Sequence, residues 1–448
     1  MSSGGTTTDR PLPPDRELRR ERAGWYSYDW AMSVFNTSVT TVFLGPYLTS
    51  VARDAAGADG RLGFLGIDPG SWFSFVLSFS VVVQVVVLPV TGAVADRTGR
   101  RRELLAGFVA LGALSCTGLF FVADGRYLLG AALFVLANIS FGAATVVYYS
   151  WLPDLAGPDE RDAVSSRGWA VGYVGGALLL AVHLGLYLSR DSLGLTEGEA
   201  VRICLATAGL WWGAFTVFTV SRLRNRPVGR QAGSTTGGFR QLARTLREMR
   251  AFPLTLWFLG AYLLFNDGVQ TVISLSAVYA TEELDLDQSV LTGAILMVQV
   301  VAIAGALGLG RVAARYGATR TVLGCLVAWI VVLVVAYFLQ AGAVGQFYAL
   351  AAVIGLVQGG TQALSRSLFS HLIPAGKEAE YYGFYEISDR GTSWLGPLAF
   401  GLTYQLTGSY RYAIISLVVF FVAGFLLLAR LPMRRAVVEA GNTPPELL

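Results

Sequence analysis

The sequence predicts an all-α membrane protein whose twelve transmembrane helices form two bundles of six. Of the 448 residues, 54% are hydrophobic and only 14% are charged, and the mean hydropathy is +0.54, which is far from the balance of a soluble domain. The apolar residues gather in runs long enough to cross a bilayer. Arginine is concentrated in alternate loops between these runs, as in multi-pass proteins.

Each apolar run approaches or exceeds the ~20 residues that an α-helix needs to cross ~30 Å of hydrocarbon. Period-2 alternation with polar residues is absent from the runs, so helices are predicted and an outer-membrane barrel is not. We therefore expect a multi-pass protein of the cell (inner) membrane. The runs, numbered here as spans 1 to 12, cover residues 25–51, 71–95, 103–123, 127–151, 168–188, 201–221, 254–280, 289–313, 320–340, 345–372, 382–406 and 411–431.

The basic residues predict the orientation of the chain. There are 34 of them, and when the twelve spans are laid across a membrane, 28 fall on one side and six on the other. Because cytoplasmic loops are rich in Lys and Arg, both termini are expected in the cytoplasm, which an even number of spans allows. The six on the opposite side are Arg53, Arg61, Arg126, Arg190, Arg202 and Arg411.

Composition also divides the chain into segments. Residues 1–22 are rich in Ser, Thr, Gly and Pro before a charged stretch, which predicts a disordered cytoplasmic tail and no signal peptide. Residues 222–252 are rich in arginine and contain Gly-Ser-Thr-Thr-Gly-Gly, as expected of a cytoplasmic linker between six-helix bundles at 23–221 and 253–431. Residues 432–448 are predicted to form a second cytoplasmic tail.

The segment GAVADRTGRRR at 92–102 resembles the cytoplasmic signature of the major facilitator superfamily, and it lies between spans 2 and 3, where that superfamily carries it. In such a loop, small glycines allow close helix approach, and the aspartate can accept hydrogen bonds from a helix N-terminus across the interface between the halves. The resemblance implies a major facilitator fold and a latch that favours the outward-facing state. The latch residues here are Gly92, Asp96, Arg97, Gly99 and Arg100.

Further segments resemble the branch of that superfamily that contains the fungal autophagy-related vacuolar amino-acid effluxers and their bacterial relatives. The resemblance extends over most of residues 25–431 and implies a transporter that exports amino acids. The segments are WYSYDWAMSVF at 25–35, LPDLAGPDERDAVSSRGWAVGYVGG at 152–176, LLFNDGVQTVI at 263–273, GGTQALSRSLFSHLIP at 359–374 and YYGFYEISDRGTSWLGP at 381–397.

Polar side chains near the middle of the spans are the strongest functional signal in the residues themselves. Amide and acidic groups are costly in hydrocarbon, so they are expected to face one another, a cavity or a pathway. With a rise of about 1.5 Å per residue, seven such groups lie near the midplane of spans 1, 4, 7 and 10, which line the central cavity in the superfamily that the sequence resembles. The predicted solute and coupling residues are Asn36, Asn138, Asn266, Asp267, Gln270, Gln358 and Gln362.

Asp267 is the carboxylate of that set, about 20 Å from the cytoplasmic end of span 7. A carboxylate at that depth suits a carrier of a coupling proton. The alternative is that it accepts fixed hydrogen bonds from neighbouring helices and never titrates. The sequence leaves both interpretations open.

A second charged set lies in the cytoplasmic third of the spans. Three acids and two bases at similar depth can neutralise one another, so they are predicted to form ion pairs that break and re-form between states. A gate is favoured over a substrate site for this set. Its members are Asp29, Arg366, Glu386, Asp389 and Arg390.

Several classes of function find no support. The sequence has no G-x-x-x-x-G-K-[ST] phosphate loop, no H-E-x-x-H and no convincing Ser/His/Asp set, so neither ATP hydrolysis nor another enzyme activity is predicted. Each of the three cysteines falls in an apolar run, as expected of a small buried side chain. No catalytic residue, metal site, cofactor or nucleic-acid partner is therefore expected.

The sequence thus predicts a secondary transporter that moves a small polar solute by alternating access, with amino-acid or metabolite export and proton coupling as the leading hypothesis. An exporter of drugs or lipid-like molecules is the alternative within transport. A non-transporting membrane scaffold or sensor is the alternative of another class, although a scaffold gains nothing from burying the midplane polar groups. The chain is expected to be a monomer, and its expected partners are the bilayer, the solute and protons.

Overall fold

A computed structural model describes residues 14–57, 60–63, 67, 69–226, 247–286, 288–390 and 395–448. Within these ranges the chain is helical apart from turns, connecting segments and one isolated bridge between Leu62 and Ile67. The all-α prediction is confirmed for this part of the chain.

The first half of the chain begins with a helix that changes its winding. The π-helical segment Phe35–Phe43 continues α1 directly into α2, and such wider turns are frequent at functional sites. The helices of this half are α1 (Asp15–Val34), α2 (Leu44–Asp54), α3 (Pro69–Thr98), α4 (Arg101–Gly118), α5 (Tyr127–Tyr149), the short α6 (Leu152–Leu155), α7 (Arg161–Leu188) and α8 (Glu197–Arg222).

The second half follows the same plan, with long helices joined by short turns. Its helices are α9 (Pro253–Glu282), α10 (Gln288–Tyr316), α11 (Ala318–Phe338), α12 (Val344–Ser370), α13 (Glu378–Arg390), α14 (Leu395–Thr407), α15 (Tyr410–Ser416) and α16 (Val418–Arg430). The helix α17 (Met433–Glu439) follows this half.

Nine helical segments in the described residues are long and apolar enough to cross a membrane. The other three predicted runs, 25–51, 254–280 and 382–406, also coincide with helices, and residues 391–394 of the last one lie outside the described ranges. The multi-pass helical prediction is therefore confirmed, while the number of spans and the side of the termini stay predictions.

Helix extends into both predicted tails. The helix α1 begins at Asp15, and ion pairs from Glu17 to Arg224 and from Glu21 to Arg226 hold its first turns against the end of α8. At the other end, α17 buries Ala436 and Val437. Charged and polar composition alone did not reveal these packed segments.

Packing is dense within each half, and the halves also meet. In the first half α1 packs on α7 and α8, and α4 on α5 and α8; in the second, α10 packs on α12 and α9 on α16. Across the halves, α3 contacts α13, and α7 contacts α10 and α12. We call these cross-half contacts the seam.

The polar contacts of the seam described below lie at one end of the bundle. This is the end at which the chain turns at 99–100, 150–160 and 371–377, and we call it the Arg-rich end because the predicted cytoplasmic arginines lie there. The turn between α3 and α4 contains Gly99 and the turn between α10 and α11 contains Gly317, and both glycines have positive φ, 63° and 93°. The two turns thus share a backbone shape, as expected if the two halves of the chain are structural repeats of each other.

Candidate functional site

A chain of hydrogen bonds joins three helices inside the second half. Gln362 Nε2 on α12 donates to Asn266 Oδ1 on α9 at 2.8 Å, and Asn266 Nδ2 donates to Asp389 Oδ1 on α13 at 2.7 Å. The Tyr262 hydroxyl donates to the same Asp389 oxygen at 3.0 Å. We call these four residues the amide network. Amide, phenol and carboxylate groups can exchange such bonds for those of a polar solute.

The other predicted midplane residues lie apart from this network. Asn138 Nδ2 donates to Ser80 Oγ at 2.7 Å, which ties α5 to α3 within the first half. Gln270 and Gln358 are half-buried, and Asn36 is exposed in the π-helical segment. Of the seven predicted residues, the structure therefore brings Asn266 and Gln362 into direct contact.

Asp267 follows Asn266 of the amide network in the sequence and is buried, but its side chain contacts a different group. Its Oδ2 accepts the backbone N–H of Gly396 at 2.6 Å, at the first turn of α14, where a carboxylate is stabilised by the free N–H groups of the helix. Its Oδ1 has no hydrogen-bond partner among the described residues. The fixed hydrogen bond fits the structural interpretation, and the free oxygen leaves room for a proton.

The predicted charged cluster contains one ion pair that crosses the seam. Arg366 Nη1 on α12 lies 3.4 Å from Asp29 Oδ1 on α1, and the two residues are 0% and 3% exposed. The Tyr148 hydroxyl donates to the other oxygen of Asp29 at 2.6 Å. A buried pair of this kind costs several kcal/mol when one partner is removed, so it favours the state in which the halves touch here.

The remaining members of that cluster occupy different places. Asp389 belongs to the amide network, and Glu386 is buried on the same helix. The side chain of Arg390 lies outside the described part of the structure. The structure therefore pairs Asp29 with Arg366 across the seam and joins Asp389 to residues of the second half, and the expectation of one cluster stays a prediction.

A second polar contact across the seam involves the end of α3. Asp96 accepts the backbone N–H groups of Ala379 and Glu380, at 3.1 and 2.9 Å, in the first turn of α13. Gly92 makes this approach possible, since a Cβ at that position would overlap the carbonyl oxygen of Ala379. Gly99 turns the chain with positive φ, and Arg97 and Arg100 are exposed.

Arg101 also takes part in this contact. Its Nη2 lies 3.0 Å from both Asp96 Oδ1 and Glu378 Oε2, and its Nη1 lies 2.9 Å from Asp154 Oδ2. One buried guanidinium therefore binds two carboxylates of the first half and one of the second. Such a network holds the halves together only while all its members are paired.

A third contact places a histidine against an arginine. Arg161 Nη1 donates to the carbonyl oxygen of Ser370 at 3.1 Å and lies 3.2 Å from His371 Nδ1. Both side chains are buried. The neutral ring accepts from the guanidinium, whereas a protonated ring would repel it.

Comparison with known proteins decides the family. A family profile described as "Vacuole effluxer Atg22 like" matches residues 17–441, which is nearly the whole chain. The chain belongs to the Atg22-like vacuolar effluxer family. It is therefore a transporter of the major facilitator superfamily and not an enzyme.

Two relatives show how widely this family is spread. The chain is 29% identical over 422 residues to the MFS-type transporter YxiO of Bacillus subtilis, covering 93% of this chain and 96% of YxiO. It is 26% identical over 507 residues to autophagy-related protein 22 of Coccidioides immitis, covering 88% of this chain and 83% of that protein. The relatives of this chain thus include bacterial and fungal proteins.

Solved structures confirm the fold. The E. coli fucose:proton symporter FucP superposes with a TM-score of 0.69 at 12% identity, covering 93% of this chain and 98% of that one. A bacterial homologue of the iron transporter ferroportin, in its outward-facing state, gives a TM-score of 0.68 at 14% identity, covering 93% and 99%. The predicted major facilitator fold is confirmed for this Atg22-like chain.

Several residues of the seam escaped the sequence analysis of this Atg22-like transporter. Arg101 was one arginine of a run of three, and nothing in composition marks it as the buried one. Arg161 lies in a segment between two predicted spans, and His371 lies at the end of a predicted span, where the sequence does not show that it faces Arg161. Ser165, whose hydroxyl accepts a hydrogen bond from Arg366 Nε across the seam at 2.8 Å, and Glu378 are small or common polar residues. A helical register that points Arg101 towards α5 was the available signal, but it requires the helix start to be known.

Proposed function

We propose that this Atg22-like chain is a secondary active transporter that exports a small polar solute, an amino acid or similar metabolite, by alternating access and with proton coupling. The amide network carries the proposal. It places donors and acceptors for a polar solute inside an apolar bundle, where polar groups are kept only if they are used. The family description as an effluxer supports the outward direction.

The seam supports alternating access. Asp29–Arg366, Asp96 with the first turn of α13, and Arg161 with the end of α12 all join the two halves at the Arg-rich end. Each contact is a polar contact between residues of opposite halves, so each can break as a unit when the halves separate there. We infer that Gly92, Asp96, Arg97, Gly99 and Arg100, with Asp29 and Arg366, form the gate and latch of that end.

Coupling is assigned to Asp267. An ionised carboxylate with one oxygen lacking a partner among the described residues is costly in the interior, and binding a proton removes that cost. The proton would enter and leave as the site opens to each side in turn. In this proposal the amide network binds the solute and Asp267 senses the gradient from the neighbouring position on α9.

The test is transport by the purified full chain in proteoliposomes, with a panel of labelled amino acids and with and without a pH gradient. We expect at least one amino acid to accumulate against its gradient when the proton gradient is imposed, and only to equilibrate without it. Gln362→Leu, which removes one member of the amide network, should abolish both. Gln299→Leu is the matched control, because Gln299 is a buried amide on α10 that lies outside the amide network. Absence of transport for the whole panel would rule out the proposed solute class.

A further inference from the structure

The guanidinium of Arg366 belongs to the second half of the transporter, but the groups that hold it belong to the first. Its Nε donates to Ser165 Oγ at 2.8 Å, and its Nη2 donates to the carbonyl oxygen of Ser165 at 2.7 Å. Its Nη1 donates to Asp29 Oδ1 at 3.4 Å. Arg366 therefore reaches across the seam, and its guanidinium binds to groups of the first half.

Three aromatic rings of the first half complete that site. The guanidinium carbon of Arg366 lies 4.8 Å from the ring centroid of Trp25, 5.0 Å from that of Tyr149 and 5.4 Å from that of Trp169. All three distances are within the range of cation–π attraction, about 6 Å. A carboxylate surrounded by aromatic rings is the arrangement by which proteins recognise organic cations. We call Trp25, Asp29, Tyr149, Ser165 and Trp169 the cation cup.

The cup is held together without Arg366. The Tyr148 hydroxyl donates to Asp29 Oδ2 at 2.6 Å, and Trp25 Nε1 donates to the carbonyl oxygen of Tyr148 at 3.2 Å. The rings of Trp25 and Tyr148 stack with centroids 4.7 Å apart. These bonds all lie within the first half, on α1 and α5. The carboxylate of Asp29 and the ring of Trp25 should therefore keep their places when α12 moves away.

Separation of the halves at the Arg-rich end would empty this cup. Arg366 would leave with α12, and Asp29 would remain among aromatic rings without a positive partner. An unpaired carboxylate in such surroundings is strongly unfavourable, so a cation from solution would be drawn into the vacated place.

We propose that, in the state open at the Arg-rich end, the cation cup binds the positively charged group of the transported solute, a primary ammonium or a guanidinium, and that Arg366 occupies the cup as a tethered competitor in the closed state. The inference rests on the proposed function for transport itself. It narrows the solute class to compounds with a cationic group, which includes free α-amino acids and excludes their N-acylated forms.

Gly168 sets the size of the cup. A Cβ at this position would overlap Asp29 Oδ2 and would lie 2.7 Å from the Trp25 ring and 3.1 Å from Arg366 Nη2. One methyl group there fills space that the cation needs. Gly168→Ala is therefore a variant that blocks the cup without removing any of its charged or aromatic groups.

The test uses the purified full chain and methylguanidinium as the probe, at constant ionic strength. Arg366→Ala removes the tethered competitor, so methylguanidinium should raise the melting temperature and quench tryptophan fluorescence saturably, at concentrations about tenfold or more below those needed by the native chain. Adding Asp29→Asn or Gly168→Ala to Arg366→Ala should abolish the response. Arg411→Ala is the matched control, because Arg411 is held by Glu283 and the carbonyl oxygen of Tyr337 within the second half.

A well-folded Arg366→Ala chain that shows no saturable response, or one that responds equally with Asp29→Asn, would overturn the inference. If Arg366→Ala does not fold, Asp96→Asn opens the same seam by another route and should also bind methylguanidinium more tightly than the native chain. The inference is also overturned if a folded Asp96→Asn chain binds methylguanidinium no more tightly than the native chain, although cysteine labelling shows that its seam is open.

Transport separates this inference from the proposed function. In proteoliposomes that accumulate an amino acid, the amino acid methyl ester should compete and the N-acetyl amino acid should not. Equal competition by the N-acetyl form would overturn the cup and leave amino-acid transport standing. Binding of methylguanidinium by Arg366→Ala without transport of any amino acid would support the cup and overturn amino-acid transport.

Discussion

The carboxylate of Asp96 lies 2.9 Å from the backbone nitrogen of Glu380, so a residue of the first half caps a helix of the second. Asp96 also accepts the N–H of Ala379, which places a full negative charge at the positive end of α13. The same carboxylate is bound by Arg101. Asp96 therefore contributes to closure of the Arg-rich end through contacts with both halves.

Asp96→Asn should shift the transporter towards states open at the Arg-rich end. The substitution keeps the shape but removes the charge that the helix N-terminus stabilises by about 0.3–1 kcal/mol, and up to ~2 kcal/mol when partly buried. Ser166, buried in the seam beside Gly310, offers a reporter: Ser166→Cys in a background without native cysteines should react several-fold faster with a maleimide. An unchanged labelling rate would argue against the latch.

Gly92→Ala should also shift the transporter towards states open at the Arg-rich end, here through steric overlap alone. The added methyl group would overlap the backbone of Ala379, so α3 and α13 could no longer close. The Ser166→Cys reporter should again react faster. Gly107→Ala on α4 is the control, since a Cβ there meets no atom within 4 Å. A similar effect from both substitutions would mean that the change comes from helix propensity and not from the seam.

The contact of His371 with Arg161 predicts opening at low pH. Because a protonated ring would repel Arg161, which lies 3.2 Å from His371 Nδ1, the closed state requires the neutral ring, whereas a state in which the ring is solvated can bind a proton. Closure is therefore fully favoured above the solvated pKa, about 6.5, and weakens as the pH falls below it. Labelling of Ser166→Cys should rise between pH 7.5 and pH 5.5, values about one unit either side of that pKa.

His371→Gln tests whether this histidine is the origin of that pH dependence. The amide retains an acceptor for Arg161 and does not titrate in this range. We expect the rise in labelling at low pH to disappear while labelling at neutral pH stays close to that of the native chain. A pH profile unchanged by His371→Gln would assign the effect to another group.

Asp267→Asn separates coupling from solute binding. The amide keeps the shape and is cheaper to bury than an ionised carboxylate, so the protein should remain folded and in the membrane. Accumulation driven by a pH gradient should disappear, while exchange of solute without a gradient should survive. If the variant still accumulates solute with the native pH dependence, Asp267 serves only to cap α14, and coupling has to be sought at Asp29, Glu386 or Asp389.

Single cysteines test the predicted orientation. A cysteine at position 285, in the acidic loop between α9 and α10, should react with an impermeant maleimide added outside intact cells. A cysteine at position 235, in the arginine-rich linker outside the described residues, should react only after the membrane is opened. The reverse pattern would invert the orientation deduced from the arginines.

The helical, multi-pass character of the chain followed from the sequence because hydrocarbon thickness imposes a run length that composition shows directly. The contact of Asp96 with a helix N-terminus was also expected, since it follows from a loop pattern of fixed spacing. The helix that begins at Asp15 was not expected. Leu18 and Glu21 of that helix are buried, and Glu17 and Glu21 pair with arginines some 200 positions away, contacts that no local pattern shows.

The sequence by itself determined which residues are costly to bury, and so identified Asn266, Gln362, Asp29 and Arg366 by type and depth. Only the tertiary structure decided their partners. It joined Asn266 and Gln362 to Asp389, separated Asp267 from them, and placed Arg366 in a cup of first-half residues. Depth in a membrane is set by position along one helix, whereas a contact depends on the rotation and packing of two, and that is fixed by the whole bundle.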